Sequence, residues 1–199
     1  MIFTLMFTGI VEITGDVIRI ERTGDILNVT VRSGISSELK VDQSVAHNGV
    51  CLTVIAVMDD MHTVQLVQET LERSHFNTIM SGAVINLERS MPATGRFEGH
   101  LVQGHVDCMG QLIAVKDGIY FFRYPIVHAK LLVEKGSVCV NGVSLTIASL
   151  EGDIFGVAII PYTLANTNFH NMTPGALVNL EFDILAKHIA RMMELRGIM

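Results

Sequence analysis

Two histidines, His100 and His105, stand in the segment GHLVQGHVDC (99–108), each preceded by a glycine, Gly99 and Gly104. Imidazole titrates near neutrality, so such a pair can move protons at working pH. A spacing of five does not put both on one face of a strand, and no third ligand accompanies them, so a metal site is not expected. A buried structural role, bonded to backbone, competes with the catalytic one on even terms. Cys51 and Ser144 form a second pair, each inside an Asn-Gly-Val-(Cys/Ser)-Leu-Thr run. A thiol is the stronger potential nucleophile where its pKa is lowered. For a cysteine taken alone, a small buried hydrophobe on a core strand is the commoner role. The Asn-Gly before each is a tight-turn signal that by itself accounts for its repetition. Thr53 and Thr146, two residues on, share a strand face with Cys51 and Ser144. Such a row of small polar groups suits hydrogen bonding to a polar heterocycle or a sugar chain.

These residues sit in a chain that repeats itself. SVAHNGVCLTVIAV (44–57) and SVCVNGVSLTIASL (137–150) agree at seven of fourteen positions, at an offset of 93. TLERSHFNTIMSGAVINLERS (70–90) and TLANTNFHNMTPGALVNLEFD (163–183) agree at eight of twenty-one, and GIVEITGDVI (9–18) aligns with GHVDCMGQLI (104–113). The period is too long for a solenoid, whose units recur every ~20–50 residues. It describes two copies of a small domain, and so two related pockets. At His100 and His105 the copies differ, the first having Leu5 and Ile10 there.

Of the 199 residues 49% are hydrophobic, yet no run approaches the ~18 apolar residues of a membrane span. Extra burial between domains or subunits accounts for that content. The apolar start, Met1 to Ile13, lacks the basic segment and cleavage site of a signal peptide. Three cysteines without a CxxC spacing point to free thiols in a reducing cytoplasm. A net charge of −6 with no Lys/Arg cluster argues against nucleic acid, leaving a small molecule as the expected partner.

Segments 26–31 and 62–67 alternate as half-buried strands do, whereas 50–57 and 143–148 read as strands covered on both faces. Each half is expected to be an antiparallel Greek-key barrel, with helical turns near 35–39, 70–76, 126–134 and 163–169. The domains then run 1–95 and 96–183, divided where Pro92 and Gly95 interrupt the pattern, with a tail helix at 184–199. Asp183 can cap that helix and Gly197 end it. Leu185, Ile189 and Met192 mark its apolar face, and Lys187, Arg191 and Glu194 its solvent-suited face. So short a helix needs a partner surface, either its own barrel or copies of itself.

Taken together, MFTGIVE (6–12), SVAHNGVCLTV (44–54), GHLVQGHVD (99–107), KGSVCVNGVSLT (135–146) and VNLEFD (178–183) resemble the riboflavin synthases of the alpha-chain type, a lumazine-binding repeat family. The resemblance runs from Met6 to about Met193. It implies a mainly β chain of tandem six-stranded barrels with a C-terminal helix, assembled as a homotrimer. It implies an enzyme that needs no cofactor, moving a four-carbon unit between two molecules of 6,7-dimethyl-8-ribityllumazine. The products would be riboflavin and a ribitylaminopyrimidinedione. The active site would join the first barrel of one subunit to the second barrel of its neighbour. By motif, Cys51, Ser144, His105 and His100 would be the catalytic participants. Ser44, Thr53 and Thr70 would contact ligand in the first barrel, and Thr146, Ile160, Pro161 and Thr163 in the second. Lys135 and Asp183 match polar positions beside the site, Gly99 lies in the histidine segment, and Phe7, Thr8 and Gly9 belong to a motif closing over the pocket. Which group is base and which nucleophile stays open, as does association with lumazine synthase, the preceding pathway enzyme.

Two departures from the family pattern stand out. Met1 to Leu5 precede the usual Met-Phe-Thr-Gly start, making Met6 the expected natural start, and Asn141 stands where many members have Asp. A non-catalytic antenna relative would tend to lose reactive positions in its second half, and those of this chain are kept. A flavin reductase domain would need a following GxGxxG unit, which is absent. A purely structural duplication would leave the histidine pair unexplained.

Overall fold

Alternating strands joined by tight turns close on themselves here, leaving no free sheet edge. The computed structural model describes residues 6–92 and 94–197; Met1 to Leu5, and with them the question of the start residue, lie outside. The first barrel comprises β1 (Ile13–Thr23), β2 (Ile26–Arg32), β3 (Ser44–His47), β4 (Val50–Met58), β5 (Met61–Leu66) and β6 (Val84–Arg89), closed in the order β1-β2-β5-β4-β3-β6. The second comprises β7 (Cys108–Lys116), β8 (Ile119–Arg123), β9 (Ser137–Val140), β10 (Val143–Glu151), β11 (Ile154–Ala158) and β12 (Leu177–Phe182), in the equivalent order. Even the irregularities recur. Bulges between Val17 and Arg19 and between Val54 and Ala56 return between Leu112 and Ala114 and between Ile147 and Ser149. Bulges bend strands, and a small barrel needs those bends at fixed places.

Inward-facing side chains fill each barrel, among them Val29, Val54 and Leu87 in the first and Leu112, Phe155 and Leu180 in the second. The segments 50–57 and 143–148 are covered on one face only: Thr53, Ile55 and Thr146 are exposed on the outside. Their continuous apolar reading came from side chains that a lone barrel leaves in water.

Short helical elements plug the barrels: α1 (Gln68–Arg73), α2 (Pro161–Asn166) and 3-10 turns at Ser36–Glu38, His75–Thr78, Ile126–Leu131 and Asn168–Asn171. The tail forms α3 (Ile184–Leu195), capped by Asp183, whose Oδ1 accepts from Leu185 N at 2.8 Å. Its orientation reverses what the spacing suggests for a helix docked on its own barrel. Lys187 and Glu194 face the barrel, pairing with Asp107 and Lys130. Leu185, Ile189 and Met192 are 60%, 58% and 56% exposed. Spacing identifies an apolar stripe but not what covers it.

Candidate active site

The two barrels meet at their Asn-Gly turns through reciprocal contacts. Asn48 and Asn141 both have positive φ (44° and 47°), as a type I′ hairpin requires. A side chain on Gly49 would come within 2.7 Å of Gly142 N, so the two turns touch backbone to backbone. Amides lock the junction: Asn86 Nδ2 donates to Asn141 O and Asn179 Nδ2 to Asn48 O, at 2.8 and 2.9 Å. Asn86 N and Asn179 N in turn donate to the side chains of Asn48 and Asn141. An Asn at 141 therefore has a fixed structural task, matched by Asn48. A small apolar cluster of Phe7, Ala46, Val102 and Cys139 lies alongside.

Two residues beyond each turn stand Cys51 and Ser144, both half-buried. Their surroundings differ. Ser144 Oγ lies 2.7 Å from His100 Nδ1, while His100 Nε2 is buried without a partner among the described residues. Burial lowers the His100 pKa and so favours the neutral ring, against an opposing pull from the Asp183 charge. A neutral imidazole with one nitrogen on a hydroxyl and the other free can pass protons in either direction. Cys51 is placed otherwise. Burial pushes its thiol up, with Ser44 bonding it in partial opposition, so the thiolate that would make it a nucleophile is disfavoured.

A cavity of about 460 Å³ opens beside Cys51, within the range of small-molecule sites. Thr70 and Arg73 wall it from α1, Gly104 and His105 from the histidine segment, and Lys187 from α3. Ser44 and Thr53 are cross-strand partners next to the Ala46–Cys51 pair, continuing the polar row. On the second barrel Thr146 pairs with Ser137, and Lys135 is exposed on the turn before β9, its N–H donating to Ile147 O. Gly99 lies against Ser144, where a side chain would come within 3.0 Å of Oγ. Ile160 and Pro161 are exposed at the start of α2, with Thr163 one turn in. His100 and Ser144 thus converge, as do His105, Cys51 and Thr70. Ser44, Thr53, Lys135, Thr146, Ile160, Pro161, Thr163 and Asp183 lie among none of the residues walling the cavity beside Cys51. Phe7 is fully buried against Val102 and packs the junction instead of facing the cavity. An aromatic ring between two barrels is better spent on burial.

Two carboxylates escaped sequence reasoning. Glu88 and Glu181, 5% and 2% exposed, point inward at the junction from β6 and β12. Glu88 accepts from Thr8 N, Thr8 Oγ1 and Gly9 N; Glu181 accepts from Gln103 N, Gly104 N and His105 N, all at 2.7–3.0 Å. Burial pushes Glu88 up to about 7 against these bonds, and Glu181 upward too. The signal was present: Asn-Leu-Glu is identical at 86–88 and 179–181. Among the described residues no group of three or more His, Cys, Asp or Glu is placed to hold a metal, and no helix is long and apolar enough to cross a membrane.

The Lumazine binding domain family matches the chain twice, over residues 8–90 and 103–183. The riboflavin synthase of Bacillus amyloliquefaciens is 38% identical over 193 residues, covering 94% of this chain and 90% of that one. That of Mycobacterium tuberculosis (strain ATCC 25618 / H37Rv) is also 38% identical, over 201 residues, covering 96% and 100%. In fold the chain matches LumP complexed with 6,7-dimethyl-8-(1'-D-ribityl) lumazine, with a TM-score of 0.79 at 21% identity, covering 88% and 98%. LumP complexed with riboflavin gives 0.80 at 22%, covering 89% and 99%.

Proposed function

We propose a two-pocket transfer mechanism for a chain that belongs to the riboflavin synthase family of lumazine-binding proteins. The reaction is a dismutation in which one 6,7-dimethyl-8-ribityllumazine gives four carbon atoms to a second. It yields riboflavin and 5-amino-6-(ribitylamino)uracil. Each barrel seats one lumazine, which replaces a rare bimolecular encounter with an oriented one, worth up to roughly 7–11 kcal/mol of barrier. The chemistry needs a base for the acidic C7 methyl of one lumazine and a nucleophile, water or a side chain, at C7 of the other. The observation that carries the assignment is the His100–Ser144 pair with its free Nε2. Among the described residues no histidine is hydrogen-bonded to the Cys51 thiol in an equivalent pair. We assign proton transfer to His100 and Ser144 on the second barrel. Cys51, as a neutral thiol, lines the binding pocket of the first with Thr70 and His105, beside the polar row of Ser44 and Thr53. Asp183 acts on His100 through its charge, and Lys135, Thr146, Ile160, Pro161 and Thr163 contact the second lumazine.

The exposed stripe of Leu185, Ile189 and Met192 supports assembly as a trimer through α3, and the exposed α2 supports a site completed by a neighbouring subunit. Three free cysteines fit a cytoplasmic location. Purified protein incubated with the lumazine should develop flavin absorbance. Ser144→Ala and His100→Ala should each lower kcat by about 10²–10⁴-fold with lumazine affinity little changed, and Cys51→Ala should do far less. A bound lumazine with no turnover would select a light-harvesting binder and defeat the proposal. Ile189→Lys should lower native mass and turnover together; an unchanged mass removes α3 from the interface.

A further inference from the structure

The segments carrying Gly9 and Gly104 cross between the barrels. Residues 6–12 lead into β1, yet Gly9 O accepts from Ser144 N of the second barrel at 2.7 Å. Residues 99–107 lead into β7, yet Gly104 O accepts from Cys51 N of the first at 2.9 Å. The two segments also pair with each other, through Phe7 N to Val102 O and Val102 N to Phe7 O at 2.8 and 3.1 Å. Their fit is close: a side chain on Gly9 would come within 2.7 Å of Ser144 Cβ, and one on Gly104 within 2.5 Å of Cys51 Cβ. A small displacement of either segment therefore changes what stands beside the reactive side chain.

Besides backbone bonds such as Glu12 N to Leu87 O and Asp107 N to Leu180 O, each segment is held by one buried glutamate on the barrel it leads into. Glu88 of β6 holds Thr8 and Gly9, and Glu181 of β12 holds Gln103, Gly104 and His105. A buried carboxylate is costly, and each of these keeps both oxygens on donors while burial still raises its pKa. The consequence runs crosswise. His100 N also donates to Thr8 O at 3.1 Å, so the segment held by Glu88 sets both members of the His100–Ser144 pair.

We infer that Glu88 and Glu181 are positioning residues that act on opposite barrels: Glu88 of the first sets the Ser144–His100 site of the second, and Glu181 of the second sets the Cys51 pocket of the first. This rests on the reading of both places as lumazine sites only for its purpose, not for its test. The experiment measures alkylation by iodoacetamide in the full-length protein, with peptide mapping to separate Cys51 from Cys108 and Cys139. Cys51 itself reports on the first barrel. A Ser144→Cys reporter in a Cys51→Ser background reports on the second.

Glu181→Gln should change the rate at Cys51 roughly tenfold, as expected when charge-assisted bonds holding a segment are weakened, and leave the reporter at 144 nearly unaffected. Glu88→Gln should do the reverse. An uncrossed pattern, equal effects at both thiols, or no effect at either would overturn the inference. Because the Glu181 charge itself raises the Cys51 pKa, the Asp variants, which keep the charge on a shorter arm, must give the same crossed pattern. Failure of the parent protein to make riboflavin would defeat the proposed function and leave the alkylation pattern standing.

Discussion

The two barrels share strand order, bulges and turns, but their interiors are built from different chemistry. At the back of the first, His47 Nε2 meets His62 Nε2 at 2.8 Å, His62 Nδ1 meets Ser36 Oγ at 2.8 Å, and Ser36 Oγ meets Ser33 Oγ at 2.8 Å. His47 Nδ1 lies 3.0 Å from Val45 O, which completes a hydrogen-bonded chain sealed from water. The equivalents of His47 and His62 in the second barrel are Val140 and Phe155. There Phe155 stacks on Phe122 with ring centroids 5.5 Å apart, and Phe169 meets Phe122 edge-on. Duplication kept the backbone plan, which bulges and turns dictate, and left the filling free to diverge. An aromatic filling is indifferent to pH. A histidine filling is not.

Acid should therefore separate the barrels by the largest margin. Burial, with the neighbouring charge of His62 in support, pushes His47 down to about 3, and burial pushes His62 down to about 4, from an ordinary 6.5. Below pH 6.5 the unfolded chain takes up protons that the folded barrel refuses. Stability present above 6.5 is lost as pH falls, by about 1.4 kcal/mol per pH unit for each histidine. His75 at the junction, lowered to about 4, adds to the trend. Glu88, raised to about 7, opposes it, because its contribution is greatest at low pH and fades as pH rises towards 7. The comparison isolates the pair: His47→Val/His62→Phe, which copies the second barrel, should lose about 4 kcal/mol less than the parent between pH 6.5 and 4.5 in urea unfolding. Parallel stability curves for the two proteins would show that the pair titrates normally.

Breaking the chain halfway should be worse than replacing it. His62→Phe alone leaves His47 Nε2 and Ser36 Oγ facing an apolar ring, at a cost of about 1–3 kcal/mol at pH 7. The double variant removes donor and acceptor together and should recover much of that loss, leaving Ser33 and Ser36 bonded to each other. Additive losses in a double-mutant cycle would mean that the two rings are not coupled.

This contrast also marks where sequence was readable. Two barrels, their hairpin turns and the capped tail helix followed from the repeat, from Asn-Gly and from Asp183, because turns and caps are local chemistry. Ser144 and His100 could be nominated because they break the symmetry of the copies. That they touch could not, since 44 residues separate them and only barrel closure brings them together. The burial of Glu88 and Glu181 is not legible in the sequence because a carboxylate on a strand ordinarily faces water, and the donors that meet these two belong to distant segments. The direction of the Leu185–Met192 stripe was hidden for a related reason: helical spacing is a property of one element, whereas its covering is a property of two.

The smallest test concerns a clamp that the copies build alike and finish differently. Arg89 N donates to Glu12 Oε1 at 2.7 Å, and Phe182 N to Asp107 Oδ2 at 2.8 Å, so both barrels close the end of the last strand on a carboxylate. In the first, the Arg89 guanidinium neutralises that carboxylate and also reaches Glu38, both at 2.8 Å. In the second, Phe182 stands in place of the arginine and the cation comes from α3, Lys187 at 2.6 Å from Asp107. Both pairs are partly exposed, so Arg89→Ala and Lys187→Ala should each cost no more than about 1 kcal/mol, and less in high salt. They should differ in reach. Lys187→Ala releases the helix as well as the charge, so hydrogen exchange should quicken across α3 with the barrels unchanged. Arg89→Ala should leave α3 exchange at the parental rate. If Lys187→Ala did so too, the helix would be held by its other contacts, among them Ala190 and the Lys130–Glu194 pair, and the second clamp would be as local as the first.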